Sequence, residues 1–267
     1  MPRIVKIEDR TDARIAAYCD IRERDLVGRD GLFIAEGEVV VRVLLGSCHH
    51  KPLSLFLAEK RVVALESEIA RLPDSVPVFV APQSIMDEIA GLPMHRGILA
   101  LGQRAEMQSA EDQLAGVGAR AVVLVLSGIA NHDNIGGIFR NAAAFGVDLV
   151  ILDSDCCDPL YRKAIRVSAG NVLTVRFVRL ERGIDVLDLL AAHGFEAMAL
   201  SPGGAASLGE TERPARLALL FGAEGHGLPE AVLNRTKTLR IPIAPGVDSL
   251  NVATASGVVL HHFAEIS

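Results

Sequence analysis

Apolar and polar positions alternate along the whole chain in a rhythm typical of strands and helices that follow one another. In the first 102 residues, short apolar runs such as LFIAEG and VPVFVAP are separated by stretches with helical spacing such as KRVVALESEIARL. In the second half, the apolar runs are richer in Val, Leu and Ile, as in strands that are buried on both faces. The pattern predicts an α/β fold with an open parallel sheet in the second half of the chain.

Six continuous apolar or β-branched runs are predicted to form the strands of this parallel sheet. They are Val122 to Leu126, Leu149 to Leu152, Val172 to Val178, Ala197 to Leu200, Leu217 to Phe221 and Thr238 to Ile241. The stretch between residues 103 and 120 is poor in β-branched residues and rich in Gln, Ser, Glu and Gly, which indicates a linker or a short helix. We therefore predict a domain over residues 1–102, a linker over residues 103–120 and a second domain over residues 121–267.

The polar segment NHDNIGGIFRNAAAFG, residues 131–146, follows the first strand of the predicted parallel sheet. Ligands of such sheets bind beyond the carboxyl ends of the strands, so this segment is a candidate binding loop. Gly136 and Gly137 allow close backbone approach, and Asn134 is of a residue type that caps helices. We expect Arg140 about one turn into the helix, where the helix dipole disfavours a cation, and therefore an anionic group beside it.

Two further loops follow later strands. LLFGAEGHGLPE, residues 219–230, lacks the GxGxxG spacing of ordinary nicotinamide-binding loops, and it could also be a simple glycine-rich connector. LRIPIAPGVDSLNVATASGVVLHHF, residues 239–263, ends in a helix of small residues that Asp248 or Ser249 is expected to cap. Small residues on a buried helix predict a close neighbour, which is either a tight core or a dimer interface.

The composition excludes several classes of protein. Half of the 267 residues are hydrophobic and 22% are charged, which is typical of a folded globular chain. The net charge of −6 argues against a nonspecific nucleic-acid coat, although a local arginine patch could still bind RNA. The sequence shows no membrane-length apolar run, no secretory leader and no CxxC spacing among its four cysteines. We therefore expect a reduced, cytoplasmic protein that does not enter a membrane.

Candidate metal ligands are few. The pairs His49–His50 and His261–His262 have no spaced partners, so we interpret them as ordinary surface or core histidines and expect no metal. Cys156 and Cys157 are adjacent, and we interpret them as ordinary thiols rather than a redox pair.

The ordered segments NxGxxxR, FGxExxGL and IPxxxxxxSLNVxxA resemble the motifs of the SpoU (TrmH-type) family of RNA ribose 2′-O-methyltransferases in the SPOUT superfamily. Each motif is weak alone, but their order over roughly 130 residues is specific. YRKAIRVSAG, residues 161–170, is similar to the RxSxG stretch of that family. LFIAEGEVVVRVLL and MHRGILALG resemble the L30e-like RNA-binding domain that often precedes the catalytic domain.

The resemblance implies a parallel-sheet SPOUT catalytic domain with a C-terminal trefoil knot, preceded by a small L30e-like domain. It also implies transfer of the methyl group of S-adenosylmethionine to RNA, with S-adenosylhomocysteine as product and no metal. The implied partners are RNA and a second copy of the chain, bound through the catalytic domain. Among RNAs, ribosomal RNA fits the two-domain layout best, followed by transfer RNA.

The resemblance further implies roles for the residues at matching positions. The implied catalytic set is Arg140, Asn134, Glu224, Ser249 and Asn251. The implied cofactor pocket is formed by Leu200, Ser201, Pro202, Gly222, Ile241, Leu250 and Asn251. The implied RNA-binding set is Arg162, Lys163, Arg166 and Ser168, although the three basic residues could also be a solvated helix face. Arg22, Arg24, Arg29 and Arg96 of the first domain have the same two interpretations.

Two questions stay open at the level of sequence. In this family the motif arginine is often described as the base, but a guanidinium stays protonated in proteins, so we favour Arg140 as an anchor for phosphate. A noncatalytic RNA-binding protein on the same scaffold is the main alternative, and it would require broken motifs. A nucleotide-binding oxidoreductase is disfavoured because GxGxxG and an acidic ribose partner are both missing.

Overall fold

The computed structural model describes residues 3–19, 31–90, 97–106 and 108–264. Its strands are β1 (Ile4–Lys6), β2 (Leu32–Glu36), β3 (Lys51–Ala58), β4 (Val78–Ala81), β5 (Ile98–Gln103), β6 (Ala121–Leu126), β7 (Leu149–Leu152), β8 (Phe177–Arg179), β9 (Glu196–Leu200), β10 (Ala206–Ser207), β11 (Arg216–Phe221) and β12 (Lys237–Arg240). Its α-helices are α1 (Glu38–Leu45), α2 (Glu66–Ile69), α3 (Gln83–Ala90), α4 (Ala110–Ala115), α5 (His132–Ala144), α6 (Arg162–Val167), α7 (Val186–Ala192), α8 (Glu230–Leu233) and α9 (Val252–Phe263).

The chain divides into two compact units. Unit 1 comprises residues 1–106 and 160–174, and unit 2 comprises residues 107–159 and 175–267. Residues 160–174 were predicted to belong to the second domain, but this segment, with helix α6, groups with unit 1. The region predicted as a linker contributes the helix α4, whose Ala110 and Leu114 pack in the core of unit 2.

Unit 1 contains a mixed sheet in the order β1-β4-β3-β5-β2. Strands β1, β4 and β3 are parallel, whereas β5 is antiparallel to both β3 and β2. Tyr18 is buried in the core of this unit, where its hydroxyl donates to the carbonyl oxygen of Ser54 at 3.0 Å and accepts from the amide of Leu101 at 3.1 Å. These bonds attach the N-terminal segment to two strands of the sheet.

Unit 2 contains a seven-stranded sheet in the order β10-β12-β9-β11-β6-β7-β8. All of its neighbouring strands are parallel. Strand β6 is buried at every position, as its unbroken apolar sequence AVVLVL predicts. The predicted α/β fold with a parallel sheet is therefore confirmed.

The predicted strand Val172 to Val178 is wrong except for its last two residues. Gly170 has a left-handed backbone, with φ 86°, and residues 171–173 form a short 3-10 helix that packs in unit 1. Strand β8 begins only at Phe177. A β-branched run indicates buried residues but not their secondary structure. In this segment Val172 and Leu173 are buried in a helical turn, and Val178 is buried in a strand.

None of the helices in the described part of the chain is long and apolar enough to cross a bilayer.

Candidate active site

A cavity of about 360 Å³ lies at the carboxyl ends of β9, β11 and β12 in unit 2. All seven residues of the implied cofactor set line it, and so do Glu224 and Ser249 of the implied catalytic set. The remaining lining residues are Phe221, Ala223, Gly225, Gly227, Leu239, Ile243, Val252 and Ala255. The position agrees with the rule that open parallel sheets bind ligands beyond their strand ends.

Glycines bring the backbone of this cavity together at two points. A Cβ atom on Gly222 would lie 2.3 Å from the carbonyl carbon of Gly227, and one on Gly204 would lie 2.4 Å from that of Leu239. Such distances are too short for any side chain, so only glycine allows these approaches. The guanidinium of Arg240 also fastens the loop after β9, since its Nη1 donates to the carbonyl oxygens of Gly204 at 2.8 Å and Ala205 at 2.7 Å.

Three polar side chains from distant segments meet beside the cavity, and two of them, Glu224 and Asn251, line it. Asn134 is buried in the first turn of α5, and its Nδ2 donates to Oε1 of Glu224. Asn251 donates from its Nδ2 to Oδ1 of Asn134 at 2.9 Å and lies 3.4 Å from Oε1 of Glu224. The Oδ1 atom of Asn251 caps α9 by accepting from the amides of Ala253 and Thr254, so the prediction that Asp248 or Ser249 caps this helix is wrong. The three motif segments are therefore joined by side-chain hydrogen bonds.

Two expectations for α5 are wrong. The cap of this helix is Asn131, whose side chain accepts from the amide of Asp133 at 2.8 Å, so Asn134 is free to bond with Glu224 instead. Arg140 is the ninth of thirteen residues in α5, well beyond the first turn. The dipole at the helix start therefore does not demand an anion beside it, because that effect is confined to the terminal turn.

Arg140 is exposed and does not line the cavity. Its side chain makes no hydrogen bond or ion pair with any residue that the structure describes. Ser249 is exposed as well, in the loop that leads to α9. Of the implied catalytic set, the structure thus brings together Asn134, Glu224 and Asn251, with Ser249 on the cavity wall and Arg140 outside it.

Asp153, which the sequence analysis did not single out, fixes the start of the loop that leads to α5. Its carboxylate accepts from Oγ of Ser127 at 2.7 Å and from the amides of Gly128 at 2.9 Å and Cys156 at 3.0 Å. Burial alone would raise the pKa of Asp153, but the bonds from Ser127 and Gly128 outweigh it and lower the pKa. The only signal in the sequence was an acidic residue directly after a buried strand.

Cys156 lies in the loop after β7, three residues beyond Asp153, and is buried. Its Sγ donates to the carbonyl oxygen of Leu126 at 3.2 Å, and burial raises the pKa of its thiol to about 12. All four cysteines are free thiols. Cys156 therefore has a packing role in this structure.

The implied RNA-binding residues lie in or directly after α6, in unit 1. Arg162, Lys163 and Arg166 are exposed, and Nε of Arg162 lies 3.9 Å from Oε2 of Glu36. Ser168 differs from them, because it is fully buried and its Oγ donates to the carbonyl oxygen of Ile165 at 2.9 Å. The structure therefore places Ser168 in the turn that ends α6 rather than on a basic face.

The basic residues Arg22, Arg24, Arg29 and Arg96 lie outside the described residues. In the part of the chain that is described, no three His, Cys, Asp or Glu side chains are grouped as metal ligands would be.

Comparisons with known proteins relate this geometry to a family. Residues 121–261 match the model of the SpoU rRNA Methylase family. A Mycobacterium tuberculosis protein described as an uncharacterized tRNA/rRNA methyltransferase is 38% identical over 95% of this chain and 89% of its own. The 23S rRNA (guanosine-2′-O-)-methyltransferase RlmB of Acinetobacter baylyi is 28% identical over 71% of this chain and 78% of its own.

Solved structures agree with the fold. An AdoMet-bound rRNA methyltransferase from Sinorhizobium meliloti superposes with a TM-score of 0.79 over 97% of each chain, at 22% identity. At that identity the likeness concerns the fold alone.

Proposed function

The chain belongs to the SpoU rRNA methylase family, and on this premise we propose that it methylates a ribose 2′-hydroxyl in ribosomal RNA. The observation that carries the proposal is the bonding of Asn134, Glu224 and Asn251 at the wall of one cavity. These residues are up to 117 positions apart in sequence, and a noncatalytic RNA-binding scaffold would not need them to be joined. The ribosomal substrate is supported by the printed activity of the RlmB relative, whereas the mycobacterial description leaves transfer RNA as the alternative.

The cavity suits S-adenosylmethionine in size and chemistry. Its volume is within the range of small-molecule sites, about 300 to 1,000 Å³, and most of its wall is apolar side chain or glycine backbone. Leu200, Ile241 and Leu250 would hold the adenosine part, with the main chain at Gly222 supplying polar groups. When bound, S-adenosylmethionine supplies the methyl group. Among the described residues that form the wall, Glu224 is the only one with an ionisable side chain, and its carboxylate would favour a cationic ligand.

Arg140 would act on the RNA rather than on the cofactor. It is exposed, it lies outside the cavity, and none of the described residues neutralises it. A guanidinium keeps its charge and can bind a phosphate through two parallel hydrogen bonds. Arg140 would thereby hold the phosphate beside the target ribose and stabilise the developing oxyanion, while phosphate or water accepts the proton.

The exposed basic residues of α6 would contact the RNA backbone outside the catalytic unit. Arg162, Lys163 and Arg166 lie within one short helix, so they present a local positive surface on a chain with a net charge of −6. We assign to this surface a share of RNA binding and no part in the transfer step.

We further propose that the protein acts as a homodimer through unit 2. Val247, Leu250 and Val258 of unit 2 expose 52%, 36% and 40% of their surface, and Leu250 lines the cavity. A second copy would cover these side chains, and burial of apolar area is the main driving force of obligate interfaces. The trefoil knot implied by the family stays a prediction.

The proposal is tested by incubating the purified protein with labelled S-adenosylmethionine and unmodified ribosomal RNA or transfer RNA. Arg140→Ala is expected to abolish methyl transfer while binding of S-adenosylhomocysteine persists, because Arg140 lies outside the cavity. Arg182→Ala removes another exposed arginine of unit 2 and is expected to retain activity. Label in transfer RNA alone would contradict the ribosomal substrate, and no binding of S-adenosylhomocysteine would contradict the methyltransferase.

A further inference from the structure

Helices α5 and α9 lie side by side and run in the same direction, so residues further along α5 contact residues further along α9. The contacting pairs, starting from the cavity, are Asn134 with Asn251, Gly137 with Ala253, and Asn141 with Ser256 and Gly257. We call this row of contacts the α5–α9 seam.

Asn141 supplies the second polar link of the seam. Its Nδ2 donates to the carbonyl oxygen of Ala253 at 2.7 Å and to Oγ of Ser256 at 3.0 Å. Ser256 is fully buried, and its hydroxyl donates in turn to the carbonyl oxygen of Ala253 at 2.8 Å. Both N–H bonds of the Asn141 amide are therefore directed at the first turns of α9.

Two glycines keep the helices close at successive levels of the seam. A Cβ on Gly137 would lie 2.8 Å from Cβ of Ala253, and one on Gly257 would lie 3.2 Å from Nδ2 of Asn141. A helix that slid along the seam would lose hydrogen bonds or bring side chains into overlap, and close-packed interiors tolerate neither. The seam therefore has a fixed register.

Asn134 and Asn141 are seven residues apart, which is about two turns, so they lie on the same face of α5. Asn134 gives α5 a polar link to α9 at the level of the cavity. With Asn141 the helix is held at two points. Arg140 adjoins the second point, and Val252 and Ala255 of α9 line the cavity.

We propose that Asn141 is a positioning residue for methyl transfer. Its amide fixes the part of α5 that carries Arg140 against the turns of α9 that form one wall of the cavity. The inference rests on the proposed function, since it concerns the relative position of the RNA-binding arginine and the cofactor site.

The kinetic test compares Asn141→Ala and Asn141→Asp with the wild type. Aspartate keeps the size of asparagine but, when ionised, cannot donate a hydrogen bond. Both variants are expected to lower kcat by about 10- to 100-fold, because a displacement of about 1 Å can cost about 100-fold. Binding of S-adenosylhomocysteine and KM for RNA should change far less. Thr236→Ala, which removes a 3.0 Å bond to the carbonyl oxygen of Val232 elsewhere in unit 2, is the matched control.

A second measurement does not depend on activity. Asn141→Ala should speed amide hydrogen exchange in residues 255–258 of α9 and leave exchange in β11 unchanged. Unchanged exchange in α9 overturns the seam, and an unchanged kcat in a folded variant overturns the positioning role. A wild-type protein that methylates no RNA contradicts the proposed function instead, and the exchange measurement still decides whether Asn141 holds the helices.

Discussion

Replacing Gly222 by alanine adds a single methyl group at the tightest backbone approach of the cavity. The new Cβ would lie 2.3 Å from the carbonyl carbon of Gly227, 2.4 Å from the amide nitrogen of Leu228 and 2.7 Å from the carbonyl oxygen of Gly227. All three atoms belong to the backbone, so no side-chain rotation can remove the overlap. The loop itself has to move.

The size of that movement follows from the same distances. Ordinary contacts of a Cβ begin at 3.4 Å, and the Gly222 position falls about 1.1 Å short of that value. Gly225 and Gly227 of this loop line the cavity with Gly222, so the wall shifts by about the same amount. Misplacement of reacting groups by about 1 Å can lower a catalytic rate by about 100-fold, and we take this as the scale for a displaced binding wall. We expect S-adenosylhomocysteine to bind about 10- to 100-fold more weakly, which equals about 1.4 to 2.7 kcal/mol.

Isothermal titration of S-adenosylhomocysteine into Gly222→Ala measures this loss directly, at a temperature where circular dichroism shows the variant to be folded. Gly209→Ala is the matched control, because a Cβ at Gly209 meets nothing within 4 Å. If the Gly222 variant bound the ligand as tightly as the wild type, the cavity would not be the cofactor site or its wall would not be rigid.

Three further outcomes are expected. Asn134→Asp should cut the methyl-transfer rate, because it replaces the donor to Glu224 by a second carboxylate; facing carboxylates raise the pKa of one of them, so the rate relative to wild type should recover as the pH falls, and a pH-independent ratio would contradict the pairing. Burial lowers the pKa of His50 from 6.5 to about 4, so the unfolded chain takes up a proton first and the free energy of unfolding should decrease as the pH falls from 6.5 to 4, by about 3 kcal/mol; His50→Gln should remove this dependence in urea titrations. Iodoacetamide at about pH 8 should label exposed Cys48 far sooner than Cys156, whose thiol stays protonated, and equal rates by mass spectrometry would refute the burial of Cys156.

The sequence was sufficient for most of the sheet of unit 2 because its central strands β6, β7 and β11 are buried at nearly every position, whereas the short strand β10 was not predicted. Five of its six predicted strands lie within one residue of the observed limits, as with Leu149–Leu152, which matches β7. The sixth, Val172 to Val178, failed because apolar periodicity reports burial and not the unit in which burial occurs. The grouping of residues 160–174 with unit 1 was missed for the same reason, because contacts between segments distant in sequence do not appear in the apolar periodicity.

The sequence indicated which residues belong to the site better than it indicated which residues they bond to. Asn134 was expected to be a helix cap or a catalytic neighbour, and the structure shows that Asn131 takes the cap. Both are asparagines at the start of one helix, and local chemistry alone cannot rank them. What separates them is Glu224, ninety residues further along the chain, which accepts from Asn134. The dipole argument for Arg140 failed for a related reason, because it depended on where the helix begins.

The interactions that hold the cavity together were the least predictable, since each depends on tertiary distance. Asp153 gave no sequence signal beyond its place directly after a buried strand, and Asn141 gave none beyond being polar. Yet Asp153 fixes the loop before α5, and Asn141 fixes α5 against α9. The glycines are an informative exception. A helix with Gly257 and several alanines predicted a close neighbour, and Asn141 of α5 is that neighbour. A small residue on a buried helix therefore indicates where a neighbouring element packs closely. A hydrogen-bonding side chain indicates only that it has a partner and does not identify that partner.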